Sequence, residues 1–263
     1  MKQNKYRNIL VTGIVLLMAI LVISTWNMNS LGKADIILLQ EANFYFEKGE
    51  ECEKAKEYTT AMEWYQQAAE AGNTVAMKKI GHMYYDGLGV RIDGKKAWEW
   101  YQKAADSGDA GAMAAIGWLY KYDKQDYAKA MEWYQQAASC GNTNAMIEIG
   151  CLYRDGQGVT CDYYIAMEWF LKAAEGGDAV GMSYIGSLYK MGMGVEKNID
   201  EAMKWYEKSA NAGTYVMMYN IGYWYETGDG LPQDFEKARE WYQRAMDAGN
   251  EVAEWRLKQM AIE

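Results

Sequence analysis

An all-α chain of stacked helix pairs is the fold class this sequence predicts, and three observations predict it. A tryptophan followed by a second aromatic recurs as Trp64-Tyr65, Trp100-Tyr101, Trp133-Tyr134, Trp169-Phe170, Trp205-Tyr206 and Trp241-Tyr242, at steps of 36, 33, 36, 36 and 36 residues. A second ladder runs in register with it: Ile80-Gly81, Ile116-Gly117, Ile149-Gly150, Ile185-Gly186 and Ile221-Gly222, each followed three residues after the glycine by a tyrosine. The 263 residues hold 26 glycines and 1 proline, which suits short recurrent turns between helices. A period of this size held over most of a chain marks stacked supersecondary units. The nonapeptide AMEWYQQAA, present at Ala61–Ala69 and letter for letter at Ala130–Ala138, is therefore a duplicated building part and not a duplicated chemical site.

The chain opens on Lys2, Lys5 and Arg7, followed by an apolar run from Ile9 to Ile23 diluted only by Thr12 and Gly13. Residues 9–26, ending on the interfacial Trp26, make roughly 27 Å of helix at about 1.5 Å per residue, enough to cross a bilayer. The basic tail, 1–8, would stay cytoplasmic and place the body outside the cytoplasm. The alternative is a cleaved secretory signal, with Gly32-Lys33-Ala34 as a distant small-x-small site, which delivers the body to the same side. After a linker, 27–34, the repeat body is expected over 35–263.

Each repeat reads as two helices. In the first, for example Ala76–Tyr85, the i, i+4, i+8 spacing sets Ala76, Ile80, Gly81 and Tyr84 on one stripe. A mid-helix glycine costs about 1 kcal/mol against alanine, so its recurrence implies a close neighbour. In the second helix Ala97, Trp100, Tyr101, Ala104 and Ala105 share the packed face, and Gly108 supplies a left-handed cap. Between the two lie DGLGV (86–90), DGQGV (155–159), MGMGV (191–195) and TGDGL (227–231). A Gly-x-Gly loop can cradle phosphate, but here no strand precedes and no GK[ST] follows, and the loops recur at the repeat period; they read as α/α turns. The unit with the 33-residue step has KYDKQDYAKA (121–130) instead and should turn more tightly. Residues 35–65 form a divergent first unit with Ala42 in place of glycine. GNEVAEWRLKQMAIE reads as a capping helix, with Lys258 at the glycine position.

Composition narrows the chemistry. The net charge is −9, and all three charges of the first 30 residues are basic, leaving 24 basic against 36 acidic side chains, a net of −12. That excludes nucleic acid as the natural partner. The single histidine, His82, occupies a repeat position where other units carry Trp118, Cys151, Ser187 and Tyr223, so it reads as a surface slot rather than a catalytic base. Four cysteines without C-x-x-C lack zinc-ribbon and thioredoxin spacing. Carboxylate pairs such as Glu50-Glu51 and Glu236/Glu240 read as solvated helix faces. No cofactor, metal or catalytic set is expected.

The pattern A-x-x-x-I-G-x-x-Y-x-x-G-x-G-V…A-x-x-W-Y-x-x-A-A-x-x-G resembles the Sel-one-like repeat family, relatives of the tetratricopeptide repeats, over about residues 35–263. The resemblance implies a right-handed α/α superhelical solenoid whose first helices line a concave surface for protein partners. It implies a scaffold for protein partners, and joined to the N-terminal segment the expected function is a membrane-tethered, extracytoplasmic scaffold that is not an enzyme. The alternative it carries is a secreted protein binding or hydrolysing a cell-wall or β-lactam-like ligand. Some secreted members staple a helix pair across the glycine loop, which here would join Cys151 to Cys161; free thiols are the alternative, and Cys52 and Cys140 are expected unpaired.

If the first helices line a groove, three slots face it. Counted from the recurrent glycine, slot +1 gives His82, Trp118, Cys151, Ser187 and Tyr223. Slot +4 gives Tyr85, Lys121, Arg154, Lys190 and Glu226, and slot −3 gives Lys78, Ala114, Ile147, Ser183 and Tyr219. The cations Lys121, Arg154 and Lys190, with Trp118 at one end and Tyr219 and Tyr223 at the other, are expected to hold a protein or peptide ligand with acidic character. The bland reading of the same cations is solvated helix ends suited to the macrodipole.

Overall fold

The computed structural model describes residues 32–260, which hold thirteen α-helices and no strand. In order these are α1 (Lys33–Lys54), α2 (Tyr58–Glu70), α3 (Thr74–Asp86), α4 (Gly94–Asp106), α5 (Ala110–Tyr122), α6 (Tyr127–Ser139), α7 (Thr143–Asp155), α8 (Tyr163–Glu175), α9 (Ala179–Met191), α10 (Ile199–Asn211), α11 (Tyr215–Thr227), α12 (Phe235–Asp247) and α13 (Glu251–Met260). Odd-numbered helices up to α11 are the first of each pair, even-numbered ones the second, and α13 closes the series. The architecture is an all-α helical repeat of the solenoid class. It divides into two compact units, the first closing at Gly108 and the second opening at Asp109. The expected membrane helix, 9–26, lies outside the described residues. Within them no helix is long and apolar enough to cross a membrane.

Repeat junctions are made by one dipeptide. Gly72, Gly141, Gly177, Gly213 and Gly249 take φ between +83° and +99°, the left-handed region in which only glycine is unstrained, and end the second helix of each pair. The next residue caps the following helix: Asn73, Asn142, Asp178 and Asn250 accept from the backbone N–H two or three residues on. Thr214 holds the same extended geometry but makes no side-chain cap.

The central glycine of each first helix has a specific neighbour. A Cβ on Gly81 would lie 2.5 Å from the ring of Tyr101, and one on Gly117 2.7 Å from the ring of Tyr134. Gly150 meets Phe170 in the same way, Gly186 meets Tyr206, and Gly222 meets Tyr242. The space is taken by a ring, not by a helix backbone. The first repeat obeys this rule with Gly49 beneath Tyr65. Its glycine is therefore Gly49 and not the position of Ala42, which is buried seven residues earlier.

The Trp-Tyr pair serves two contacts because adjacent helical residues point about 100° apart. Tyr101, Tyr134, Phe170, Tyr206 and Tyr242 are buried over their own glycine. The tryptophans are only half-buried: Trp100, Trp169, Trp205 and Trp241 each pack on the core that the second helix of the preceding repeat forms with the first helix of their own, around Ile80, Ile149, Ile185 and Ile221 respectively. Of the two aromatics expected on the packed face, only the second is fully buried. A cation three residues on covers each of these indoles, with Lys103, Lys172, Lys208 and Arg244 at 4.2, 4.0, 3.8 and 4.0 Å from the ring centroids.

The Gly-x-Gly loops are turns. Gly87, Gly156, Gly192 and Gly228 end a first helix with φ between +65° and +73°. The second glycine of three loops lies against the start of the preceding repeat's second helix, where a Cβ on Gly89, Gly158 or Gly194 would strike Tyr58, Tyr127 or Tyr163. The connection from α5 to α6 spans four residues instead of the usual seven, as its sequence implies, with Gln125 at φ +54°.

Candidate interaction surface on the first helices

In three places a slot +4 side chain pairs by charge with slot −2 of the next helix in the same series. In the first unit Lys79 Nζ donates to Glu53 Oε2 at 2.8 Å. In the second unit Lys121 Nζ donates to Glu148 Oε2 at 2.7 Å, and Arg256 of α13 pairs with Glu226 through two hydrogen bonds. The Arg154 guanidinium lies over the Tyr184 ring, 5.0 Å from its centroid, while two of its N–H groups donate to Asp155 at 2.7 and 2.8 Å. Lys190 Nζ donates to Asp229 at 2.8 Å and lies 4.5 Å from the Trp224 centroid.

The expected cation row is therefore already neutralised from within. Lys121 is buried; burial favours its neutral form, but the hydrogen bond and charge of Glu148 outweigh this and raise its pKa. Asp155 holds Arg154 charged, and Arg154 in turn keeps Asp155 below the usual carboxylate range. The slot −2 partners Lys79, Glu148, Tyr184 and Arg256 were not singled out by sequence. The signal was present as complementary charges 26, 27 and 30 residues apart, in pairs whose polarity reverses between repeats.

The ring hydroxyls over the glycines form a second series. Tyr65 donates to Glu53 at 2.5 Å, Tyr206 to Ser187 at 3.2 Å and Tyr242 to Glu226 at 2.6 Å, while the Tyr101 hydroxyl lies 2.9 Å from His82 Nδ1. Slot +1 or slot +4 supplies the partner each time. The series breaks in the first two repeats of the second unit: the buried Tyr134 hydroxyl has no partner, and Phe170 has no hydroxyl.

The remaining candidates are placed as follows. His82 is exposed along one edge with its other edge against Tyr101; desolvation there and the charge of Lys78 lower its pKa. Lys78 and Tyr85 are half-buried on the same helix. In the second unit Trp118 is 39% exposed with its ring 5.0 Å from that of Tyr122, and Tyr223 is 48% exposed. Tyr219 is half-buried against Tyr242, at 5.2 Å between ring centroids. Cys151 and Ile147 are buried rather than groove-facing.

The Cys151–Cys161 bridge is not formed, and all four cysteines are free thiols. Cys151 is buried among the side chains around Phe170, where burial raises its pKa, and Cys161 is exposed and donates to the Arg154 carbonyl oxygen at 3.1 Å.

Comparison with known proteins matches the Sel1 repeat at residues 42–73, 74–109, 110–142, 143–178, 179–214 and 216–250. A Sel1 repeat protein from Oxalobacter formigenes is 33% identical over 79% of this chain and 86% of that one, with a TM-score of 0.68. A protective antigen of uropathogenic Escherichia coli displaying an SLR fold is 35% identical over 82% of this chain but only 48% of its own, with a TM-score of 0.65. An immunity protein of Pseudomonas aeruginosa, at 21% identity and a TM-score of 0.61, shares the fold. Among curated proteins none matches the chain. With six matched repeats covering most of its length, this chain belongs to the Sel1 repeat family.

Proposed function

We propose that this protein is a membrane-tethered scaffold whose repeat body, on the extracytoplasmic side, binds a protein or peptide along the first helices of its second unit. Family membership supports a non-catalytic, protein-binding role. The basic flank and apolar run of residues 2–26 support the tether and its orientation. The observation that carries the binding site is the contrast between charge and aromatic side chains. The cations of slot +4 are paired internally, whereas Trp118 and Tyr122 on α5 and Tyr223 on α11 are each between 39% and 49% exposed. Half-wet aromatics of this kind supply contact area at low entropic loss. An acidic partner would have to exchange with Asp155 at Arg154 and with Asp229 at Lys190; Lys121, buried against Glu148, is not available for exchange.

A crosslinking pull-down from intact membranes tests this. Trp118→Ala/Tyr223→Ala should lose the captured partner, and Arg154→Glu/Lys190→Glu should weaken it if the partner is acidic. Capture undiminished in both variants would refute the site, and alkaline extraction of the wild type from membranes would refute the tether.

A further inference from the structure

The first helix is longer than its repeat requires. First helices α3, α5, α7, α9 and α11 each have 13 residues, whereas α1 has 22. Its last 13 residues, 42–54, correspond to the matched repeat, with Gly49 beneath Tyr65. The nine before them, KADIILLQE (33–41), have no counterpart in the repeat and extend past the helix that α1 pairs with. Ile37, Leu38 and Leu39 there are 56%, 50% and 56% exposed. Three successive helical positions sweep over half of the circumference, so this is not one side of an amphipathic helix awaiting a partner groove but a projection apolar on most sides. Phe44, in the slot that holds the buried residues Ala76, Ala112, Ala145, Gly181 and Met217 elsewhere, is 52% exposed at the same end.

We infer that this projection lies in the lipid interface of the membrane and docks the first repeat against the bilayer. The inference rests on the tether reading, from which the geometry follows. Only six residues, 27–32, separate Trp26 from α1, and they span at most about 20 Å fully extended. Ile37–Leu39 is thereby confined to the neighbourhood of the lipid headgroups. Burying side chains of this kind in the interface is favourable by the same apolar transfer that drives folding. Zwitterionic rather than anionic lipid fits, since Asp35 and Glu41 bracket the apolar residues in sequence and the body carries a net charge of −12.

The test reconstitutes the full chain in phosphatidylcholine vesicles containing a phosphatidylcholine with a photoactivatable acyl chain, and maps covalent lipid adducts by mass spectrometry after carbonate extraction. Expected are carbonate resistance and adducts within residues 33–47, falling at least about fivefold in Ile37→Ser/Leu38→Ser/Leu39→Ser. These side chains are exposed, so the variant should keep the helical circular dichroism of the wild type. Adducts confined to residues 9–26, or undiminished in the variant, would overturn the inference while leaving the tether intact. Crosslinks joining two chains through α1 would overturn it in favour of a second copy as occupant. Release by carbonate would overturn the tether reading and the inference with it.

Discussion

Tyr134 and Tyr242 occupy equivalent places over Gly117 and Gly222, yet only Tyr242 has somewhere to donate its proton. A buried hydroxyl without an acceptor carries its full desolvation penalty, whereas one bonded to a carboxylate is worth more than a neutral pair. Tyr134→Phe should therefore leave stability unchanged or raise it by up to about 1 kcal/mol, and Tyr242→Phe should lower it by about 1–3 kcal/mol. Urea titration of both variants checks the contrast; equal losses would refute it. Glu226 supplies a second residue-scale expectation. Hydrogen bonds from Arg256, against the opposing effect of burial, together with that from Tyr242, lower its pKa below the 4.5 of a free glutamate. The folded state thus binds the proton less readily than the unfolded chain. Its contribution is present in full above pH 4.5 and is lost as pH falls through the lower folded value. Hydrogen exchange in α13, which Arg256 holds to this carboxylate, should accelerate on acidification through that window. Glu226→Gln should flatten the response.

At the scale of elements, a helix end is stable when its orphan backbone groups find partners. Asn73, Asn142, Asp178 and Asn250 supply them after a left-handed glycine, but Thr214 does not, although its backbone already has the right extended shape. Thr214→Asn should place a side-chain oxygen within reach of the second or third N–H of α11 and stabilise the protein by about 0.5–1 kcal/mol. A thermal melt that did not rise would show that the hydroxyl is already satisfied in solution. The Gly-x-Gly loops show the same division of labour: the first glycine ends a helix and the second lets the loop approach the preceding repeat.

At the scale of the molecule, stability is carried by contacts between neighbouring repeats, and the tryptophans are a large part of them. Trp169 packs on the core that Ala130, Tyr134 and Ala137 of the preceding repeat form with Ala145, Ile149 and Leu152 of its own. Trp169→Ala should destabilise by about 3 kcal/mol. Exchange should speed in α6, α7 and α8 before it changes in α11–α13, as expected for quasi-one-dimensional stacking. A uniform increase along the second unit would contradict that picture.

The repeat period, helix pairing, turn glycines, short α5–α6 connection and capping helix were all legible in the residues. Each follows from local rules: a 3.6-residue period, the φ that only glycine takes freely, and the preference of Asn and Asp for helix starts. What neighbours a side chain was not legible, because that depends on the packing of one repeat upon the next. The sequence placed Lys121, Arg154 and Lys190 in one row but could not say that Glu148, Asp155 and Asp229 already answer them. It placed glycine in each first helix but not the aromatic ring above it. The true glycine of the first repeat, Gly49, was obscured because its spacing to Tyr65 is shorter than in most repeats; the ring stacked over it is what identifies it. Periodicity is a property of the chain and can be counted, whereas partnership across a stacking interface is a property of the packed molecule, decided by which side chains the tertiary structure brings within a few ångströms.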